Sequence, residues 1–460
     1  MDSLQAEVAA SHWGIEPVPD RHRKFTALDL AILWGDLGVG LLVIVAGALL
    51  VAPADQFGFG LSVPAAVLAT VVGSVIGCAL LGAGGVIGSR EGRPTMALLR
   101  PVLGRRGSWI PTVLNVGQLV GWTAFELWAM ALVAERLGQR LLGFSSFGFW
   151  LAAFSAVVLA LSLWGPLGVV RKWMEKFGAW VVAGIGVGIT VSLLAGGLEA
   201  IWSRSGAGGS FVFGVPMDIV IALPVSWIPL VADYNRFTRR ASLSFWGTFS
   251  GYLLANVWFY LIGVLLVVRS PETAVSPEGI ALGILSLGGI SITGTLMLAG
   301  LLVGETDEAF ADVYSGAVSL RNIFPSIDGK ALVVAVTLVG ALLAGRFTML
   351  AYETFLFLLG SVFLPLLGVW FADYFALKNR DRAIDGVRWR SVIPWIAGFL
   401  LYHWIAPTPV EWWSTFVTNL IGAPLSTRVP WVGASIPSFV LAFGLHWVIG
   451  SVRSRRKVIA

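Results

Sequence analysis

Long apolar stretches, separated by short polar loops, follow one another from about residue 28 to residue 451. A helix needs roughly 20 apolar residues to cross the hydrocarbon core of a bilayer, and most of these stretches reach that length. The pattern therefore predicts an all-α integral membrane protein. Its twelve predicted transmembrane helices lie at residues 28–52, 62–88, 109–134, 147–168, 175–196, 216–235, 244–268, 282–318, 331–345, 348–376, 391–407 and 430–451.

Two of the predicted helices contain residues that interrupt a helix. The first carries three glycines around Asp36, and the sixth carries Pro224 and Pro229, which cannot donate a backbone hydrogen bond. Interruptions at corresponding positions of two halves are typical of transporters built from inverted repeats, whose binding site lies near the middle of the membrane. Single glycines can also serve only to let helices pack closely. Because the interruptions are paired, we favour the transporter interpretation.

This interpretation divides the chain into a transporter core and flanking segments. The amino terminus lacks the basic start, short apolar run and small-residue cleavage site of a signal peptide, so we expect it to be retained. The predicted segments are a cytoplasmic tail at 1–27, a ten-helix core at 28–376 with repeats at 28–196 and 216–376, two accessory helices at 391–451, and a cytoplasmic tail at 452–460.

The composition agrees with a membrane location. Hydrophobic residues make up 57% of the chain, charged residues 12%, and the mean hydropathy is +0.83, whereas a soluble globular domain carries about 25% charged residues. Most of the 31 lysines and arginines fall in loops that a twelve-helix topology places on one side of the membrane. This bias predicts a multi-pass protein of the cell membrane with both termini in the cytoplasm. The net charge of +5 follows from the same topology, so we expect no nucleic-acid partner.

Several kinds of chemistry find no support in the sequence. The single cysteine, Cys78, excludes an intramolecular disulfide and a cysteine-based metal cluster. The chain contains no phosphate-binding loop of the P-loop type and no nucleophile-elbow spacing, which argues against an ATP-driven pump and a hydrolase. We therefore expect neither an enzyme nor a bound cofactor, and no metal other than a coupling sodium ion.

One face of the third predicted helix is polar. At about 100° per residue its four side chains fall within an arc of about 80°. A glutamine amide both donates and accepts hydrogen bonds, and an indole offers a flat surface to a planar ring. We interpret this face as the lining of a substrate cavity, whereas the alternative for the glutamine is an interhelical hydrogen bond worth about 1 kcal/mol. The face consists of Asn115, Gln118, Trp122 and Glu126.

Acidic residues interrupt the apolar run of the eighth predicted helix. Carboxylates persist inside a membrane chiefly where they face an aqueous cavity, bind a cation or exchange protons. This group therefore predicts a site for the coupling ion, unless its first members lie close to the membrane surface. The group comprises Glu305, Thr306, Asp307, Glu308 and Asp312.

Asp36 lies in the interrupted part of the first predicted helix. It could pair with an amine of the substrate, carry a coupled proton, or cap the adjoining half-helix. We retain it as a candidate substrate-binding residue.

Several segments together resemble a known family. They are Gly14-Ile15-Glu16-Pro17-Val18-Pro19 with Arg23, Gly92-Arg93-Pro94, Leu114-Asn115-Val116-Gly117-Gln118-Leu119-Val120-Gly121-Trp122, and Pro224-Val225-Ser226-Trp227-Ile228-Pro229 continued through Arg236. The chain resembles the nucleobase cation symporter family, also called the purine-cytosine permease family, over nearly its whole length. It is most similar to the branch of cytosine and hydroxymethylpyrimidine permeases.

The resemblance implies a LeuT-type five-plus-five inverted repeat with two additional carboxyl-terminal helices. It implies a heterocyclic ring held between tryptophans of the third and sixth helices, for which Trp122 and Trp227 are the candidates. Gln118 matches the family's substrate glutamine. Asp312 falls near its eighth-helix asparagine, and Asn115 and Asp36 complete the candidate substrate site.

The resemblance also implies a cation site. Sodium-coupled members bind the ion between first-helix carbonyls and two hydroxyl residues of the eighth helix. The nearest positions here are Gly38, Thr306 and Asp307. Because an acid replaces one hydroxyl, the coupling ion is H⁺ or Na⁺.

The sequence thus predicts a secondary active transporter that imports a nucleobase or related heterocycle by cation symport with alternating access. Cytosine or hydroxymethylpyrimidine is the favoured substrate, and a monomer in the lipid bilayer suffices. The alternatives are a carrier of the same fold for an amino acid or amine and, less favoured, a membrane sensor or enzyme that transports nothing.

Overall fold

A computed structural model describes most of the chain as helices. The described residues are 14–56, 58–165, 169–195, 213–271, 273, 275–287, 291–346, 349–378, 384–408 and 410–459. Residues 1–13 of the predicted amino-terminal tail and residue 196, the predicted end of the first repeat, lie outside them. Within the described ranges the only β-structure is an isolated bridge between Phe25 and Thr238.

The principal helices are numbered here in chain order. Short 3-10 turns and two four-residue helices between residues 92 and 104 connect some of them. The sixteen helices are α1 Ala27–Asp36, α2 Leu41–Val51, α3 Val63–Glu91, α4 Trp109–Leu142, α5 Phe147–Trp164, α6 Ala179–Leu194, α7 Gly214–Ser226, α8 Val231–Asn235, α9 Ala241–Arg269, α10 Pro277–Leu287, α11 Ser291–Leu320, α12 Gly329–Ala344, α13 Met349–Phe371, α14 Trp389–Ile405, α15 Glu411–Ile421 and α16 Ser435–Ile459.

Eight helical segments of the described chain are long and apolar enough to cross a membrane, and α1 with α2 forms a ninth, bent span. The three other predicted spans coincide with helices that are shorter, as in α12 and α14, or that carry several acids, as in α11. The protein is therefore a multi-pass membrane protein, and the number of twelve spans stays a prediction.

Both predicted interruptions are confirmed, and they differ in form. The axes of α1 and α2 meet at 62°, and the backbone at the junction is extended at Gly40, with φ −176° and ψ 172°. In the sixth span, α7 contains Pro224 and is followed by a 3-10 turn at Ile228–Leu230, which includes Pro229. The first interruption thus reorients the chain, whereas the second changes the helix type over one turn.

Some boundaries differ from the predicted ones for identifiable reasons. The third span continues to Leu142, because the polar residues that follow the predicted apolar stretch are still helical. The predicted span 282–318 is described as two helices, α10 and α11, with residues 288–290 outside the described part. The last helix runs to Ile459, through most of the predicted carboxyl-terminal tail. The short helix α15 has no predicted counterpart.

Close packing of α9 holds the bent first span in place. The helix α9 lies along both α1 and α2 as well as α3, and it approaches them through glycines. A Cβ added to Gly251 would lie 2.8 Å from the Cα of Ala31 in α1, and one added to Gly263 would lie 2.8 Å from the backbone nitrogen of Ala48 in α2. Side chains at these positions would force the helices apart, since membrane helices approach closely through small residues.

The accessory helices are joined to the core by a buried acid. Asp218 of α7 accepts hydrogen bonds from the backbone nitrogens of Ala434, at 2.6 Å, and Ser435, at 2.9 Å. These groups belong to the start of α16, where a carboxylate is favourable because the backbone N–H groups there have no partner within the helix. Asp218 therefore fixes the position of α16 relative to the sixth span.

We expect Gly263→Ala to lower the stability of the folded protein by about 1–3 kcal/mol, because overpacking a close helix contact costs that amount. The matched control is Gly184→Ala in α6, where an added Cβ meets nothing within 4 Å. Thermal unfolding of the two purified variants in detergent checks this. A midpoint for Gly263→Ala equal to that of Gly184→Ala would contradict the packing described here.

Candidate functional site

The junction between α1 and α2 faces the acidic part of α11. The backbone N–H of Leu41 donates to Oε1 of Glu305, and the N–H of Leu42 also interacts with that carboxyl group. A Cβ on Gly40 would lie 2.5 Å from Oε1 of Glu308 and 2.6 Å from Oε1 of Glu305, so a larger residue there would have to displace these carboxyl groups. Glu305 thereby caps the amino terminus of α2, where a negative charge is favourable.

A pair of carboxyl groups forms on the other side of the junction. Asp36, at the end of α1, lies within hydrogen-bond reach of Asp307 of α11. Asp36 is 2% exposed and Asp307 is fully buried. Within the described part of the chain no N–H or O–H group donates to either carboxyl oxygen of Asp36. Two such groups repel each other when both are ionised, so a proton or a cation between them stabilises the pair.

A π-helical segment, Val170–Gly178, contacts this pair from the start of the fifth span. Trp173 donates its indole N–H to Oδ1 of Asp307 at 2.8 Å. A Cβ on Gly178 would lie 2.7 Å from Oδ2 of the same carboxyl group. Trp173 was not among the predicted site residues, because the predicted fifth helix begins at residue 175 and leaves it in a loop. The only available signal was an aromatic residue two positions before that helix.

A second pair of carboxyl groups lies between α4 and α11. Glu126 and Asp312 are within hydrogen-bond reach of each other, and each is 1% exposed. The charged groups that act on Glu126 are Asp312, Glu308 and Glu305, which are all acids. Glu305, Asp307 and Glu308 of α11 are buried within the protein as well, and their depth in the membrane stays a prediction.

The amide of Gln118 joins three spans. Its Nε2 atom donates to the backbone oxygen of Ser226, at the end of α7, and to Oδ1 of Asn115, both at 2.8 Å. Asn115 in turn donates to Oγ of Ser319 in α11 at 2.9 Å. The Oε1 atom of Gln118 is buried and receives no hydrogen bond from the described residues. An acceptor is thus available beside the interrupted sixth span.

The two candidate tryptophans have different surroundings. Trp122 of α4 packs on Phe355 and Tyr352 of α13, with ring centroids 5.1 and 6.1 Å away. Trp227, directly after α7, lies edge-on to Trp34 at 6.2 Å and donates its indole N–H to the hydroxyl of Tyr252 at 3.0 Å. Trp34 and Tyr252 were not predicted. The position of Trp34, two residues before Asp36, was the signal available for it.

The predicted cation ligands have different contacts. Thr306 donates its hydroxyl to the backbone oxygen of Val303 within α11, at 2.7 Å, and a Cβ on Gly38 would lie 3.1 Å from that of Ala255 in α9. In the described part of the chain, Asp307 is the predicted cation ligand of α11 whose side chain contacts the first span. Those residues include no group of three or more histidine, cysteine, aspartate or glutamate side chains that could hold a metal ion.

Comparison with known proteins identifies relatives of this chain. The family described as "Permease for cytosine/purines, uracil, thiamine, allantoin" matches residues 17–425. The hydantoin permease of Microbacterium maritypicum is 24% identical, over 95% of this chain and 93% of its own. The cytosine permease of Escherichia coli strain K12 is 25% identical, over 76% of this chain and 80% of its own.

A solved structure has the same fold. The structure of Mhp1, a nucleobase-cation-symport-1 family transporter, in a closed conformation with bromovinylhydantoin bound, superimposes with a TM-score of 0.79. It is 19% identical in sequence and the match covers 96% of each chain. The predicted LeuT-type fold is thereby confirmed.

We expect Glu305→Ala to lower stability by about 1–3 kcal/mol, because the buried N–H groups at the start of α2 lose their acceptor. Glu305→Gln keeps a carbonyl oxygen at that place and should therefore lose less stability than Glu305→Ala. Thermal unfolding of both variants in detergent measures the difference, with Glu353→Gln in α13 as the control. Equal midpoints for Glu305→Ala and the control would show that the cap contributes nothing.

Proposed function

The chain belongs to the family of permeases for cytosine, purines, uracil, thiamine and allantoin, and from this membership we propose that it imports a small heterocycle by proton symport. Cytosine or hydroxymethylpyrimidine is the favoured substrate. Import follows alternating access about the interrupted first and sixth spans, since unwound backbone inside a membrane is tolerated where it lines a cavity.

The contact between Asp36 and Asp307 is the observation that supports proton coupling. The two acids come from the first span and from α11, so the pair bridges two helices at the helix interruption. A proton removes the repulsion between the carboxyl groups and lets them approach. Loss of the proton from the pair restores the repulsion and favours separation of α1 from α11. Protonation is thereby coupled to the relative position of the two helices.

Sodium is the competing coupling ion. Its ligands would be Asp307, the hydroxyl of Thr306 and backbone oxygens near Gly38. The hydroxyl of Thr306 donates within its own helix, which leaves its oxygen lone pairs available to a cation, so this bond is compatible with sodium. A proton needs no such ligand set, and two adjacent carboxyl groups suffice to hold it. This difference favours the proton.

The substrate site in this proposal lies between α4, the end of α7 and α11. The Oε1 atom of Gln118 accepts a hydrogen bond from the ring, and Asn115 fixes the orientation of that amide. Trp227 or Trp122 packs on the ring face, because aromatic side chains supply large apolar contact areas of defined geometry. Asp312, which faces α4, completes the polar edge of the site.

The membrane arrangement of the proposal follows the distribution of charges. The protein lies in the cell membrane with both termini in the cytoplasm, as the lysines and arginines of its loops predict. Residues 28–196 and 216–376 form the two repeats of the core, and the helices of 391–451 are accessory. A monomer suffices, since each proposed ligand of the substrate belongs to the same chain.

The test is uptake of labelled cytosine and hydroxymethylpyrimidine into liposomes that contain the purified protein. We expect an inwardly directed proton gradient to drive uptake without sodium. In Asp36→Asn and Asp307→Asn variants the driven uptake should fall by about tenfold or more, because a single lost charge-assisted contact is worth that factor. Glu353→Gln removes a carboxyl group of α13 that belongs to neither pair of buried acids, and this variant should transport normally.

Two outcomes contradict the proposal differently. Uptake driven by a sodium gradient and insensitive to pH would show that the protein is a transporter but that sodium, and not a proton, is its coupling ion. Uptake of an amino acid or amine, with no competition by either pyrimidine, would mean that the fold carries another solute.

A further inference from the structure

A cavity opens on one side of the first span, between α1, α6 and α9. Its volume is about 370 Å³, which is within the range of small-molecule sites in proteins. The lining residues of the described chain belong to these three helices, together with Val39, which follows α1. They include no residue of α4, α7 or α11, which form the proposed substrate site. The cavity is therefore a separate place in the fold.

The cavity runs from the surface of the protein inward to α1. Trp180 of α6 and Leu254 of α9 form its outer part and are 65% and 72% exposed, whereas Asp36 and Ala255 are buried. Leu254 and Ala255 lie at the middle of α9, which has 29 residues. The middle of a span of this length corresponds to the hydrocarbon core of a bilayer. We therefore expect the cavity to open onto lipid acyl chains rather than onto water.

The lining combines an apolar wall with one acid. Apart from Asp36 and Ser250, the lining residues of the described chain are apolar residues and glycines. The hydroxyl of Ser250 donates to the backbone oxygen of Trp246 in its own helix at 2.6 Å. The indole N–H of Trp258 donates to the hydroxyl of Thr190 at 2.9 Å. These donors are thus used within the protein, and Asp36 is the ionisable group of the described lining.

The carboxyl group of Asp36 has no donor and no cation among the described residues. Neither of its oxygens receives a hydrogen bond there. The titratable group in contact with it is Asp307, which is another acid, and the described lining contains no lysine or arginine. A buried carboxylate is stabilised by an opposite charge and by N–H donors. A ligand that complements this cavity therefore has a cationic donor group at one end and an apolar body.

From these observations we propose that the cavity between α1, α6 and α9 binds a lipophilic primary amine that enters from the membrane. The ammonium group donates N–H groups to the carboxylate of Asp36, and the apolar body packs between Trp180, Leu254 and Trp258. The amine binds as an ammonium ion to the ionised carboxyl group, or it binds as a neutral amine and takes the proton of the carboxyl group. In both cases the two charges cancel, so no net charge is buried.

The size and position of the cavity restrict the ligand further. At about 30 Å³ for each water-sized group, the cavity holds about twelve non-hydrogen atoms. An amine with one aromatic ring and a short alkyl chain has this size, whereas a phospholipid is larger. The amino headgroup of a phospholipid also lies at the membrane surface and not at the middle of a span. The ligand is therefore a small amine dissolved in the bilayer.

Binding at this site has a consequence for transport, and this consequence rests on the proposed function. An ammonium group on Asp36 replaces the proton that Asp36 is proposed to share with Asp307. We expect the amine to inhibit proton-driven uptake of cytosine into liposomes. A large excess of cytosine should not relieve the inhibition, because the two ligands bind at different places.

Binding itself is tested without transport, with two compounds of equal size. These are 4-phenylbutylamine and 4-phenylbutan-1-ol, which differ only in the terminal amino or hydroxyl group. We expect the amine to bind the purified full-length protein in phosphatidylcholine nanodiscs at least about tenfold more tightly, the factor of a charge-assisted hydrogen bond. Shifts of the unfolding temperature, titrated with each compound, give the two affinities.

Variants of the cavity wall locate the site. Ala183→Leu fills the cavity from α6 and should weaken binding of both compounds by about tenfold or more, since the added side chain occupies their place. The control is Gly184→Leu, because the neighbouring Gly184 is exposed, does not line the cavity, and an added Cβ there meets nothing within 4 Å. This control should bind as the unmodified protein does. If gel filtration shows that Ala183→Leu is not folded, Ser250→Leu fills the cavity from α9 instead.

A variant of the acid identifies the group that reads the amine. Asp36→Asn keeps the size of the side chain and removes its charge, so the preference for the amine over the alcohol should fall to about twofold or less. The affinity for the alcohol should persist.

Equal affinities of the amine and the alcohol, or affinities that Ala183→Leu leaves unchanged, would overturn the inference without affecting the proposed function. Inhibition of uptake that excess cytosine relieves would also overturn it, because the amine would then occupy the substrate site. Binding that depends on both Asp36 and Ala183, without any inhibition of uptake, would support the cavity as a site and contradict proton coupling through Asp36.

Discussion

The structure depends on carboxyl groups that are buried inside a membrane protein among other carboxyl groups. Asp36, Glu126 and four acids of α11 lie within the bundle, and the charged groups acting on Glu126 and Glu308 are all acids. An isolated ionised carboxyl group is costly in such surroundings. Each acid therefore requires a backbone donor, a proton or a bound cation.

The three requirements are met at different places along α11. Glu305 uses backbone donors, because the interrupted first span exposes N–H groups at the start of α2. Asp307 meets Asp36 and accepts from Trp173, so its environment changes if α1 or the π-helical segment moves. Asp312 meets Glu126 and no donor of the described residues. One helix thus supports a structural cap, a proposed proton site and a proposed ligand site.

The sequence predicts those features that depend on local pattern. The long apolar stretches predict the membrane spans, and the glycines around Asp36 predict the bend in the first span. The spacing of 100° per residue places Asn115, Gln118, Trp122 and Glu126 on one face of the third span. All four are buried in the structure. The roles assigned to these residues stay predictions.

Other features depend on register between helices, which a single sequence does not contain. The pairs Asp36–Asp307 and Glu126–Asp312 exist only because α11 lies at a particular height against α1 and α4. Trp173 reaches Asp307 because a π-helical segment begins five residues before the predicted fifth helix. The helix α15 has 11 residues, too few for the apolar pattern that identifies a span.

The most direct test of the account is infrared difference spectroscopy of the purified protein between acidic and alkaline pH. The carbonyl stretch of a protonated carboxyl group reports the proton itself. The account predicts a band that disappears at alkaline pH, is lost in both Asp36→Asn and Asp307→Asn, and remains in Glu353→Gln. If neither aspartate variant loses a band that the unmodified protein shows, or if sodium removes that band at constant pH, a proton shared by Asp36 and Asp307 would be contradicted.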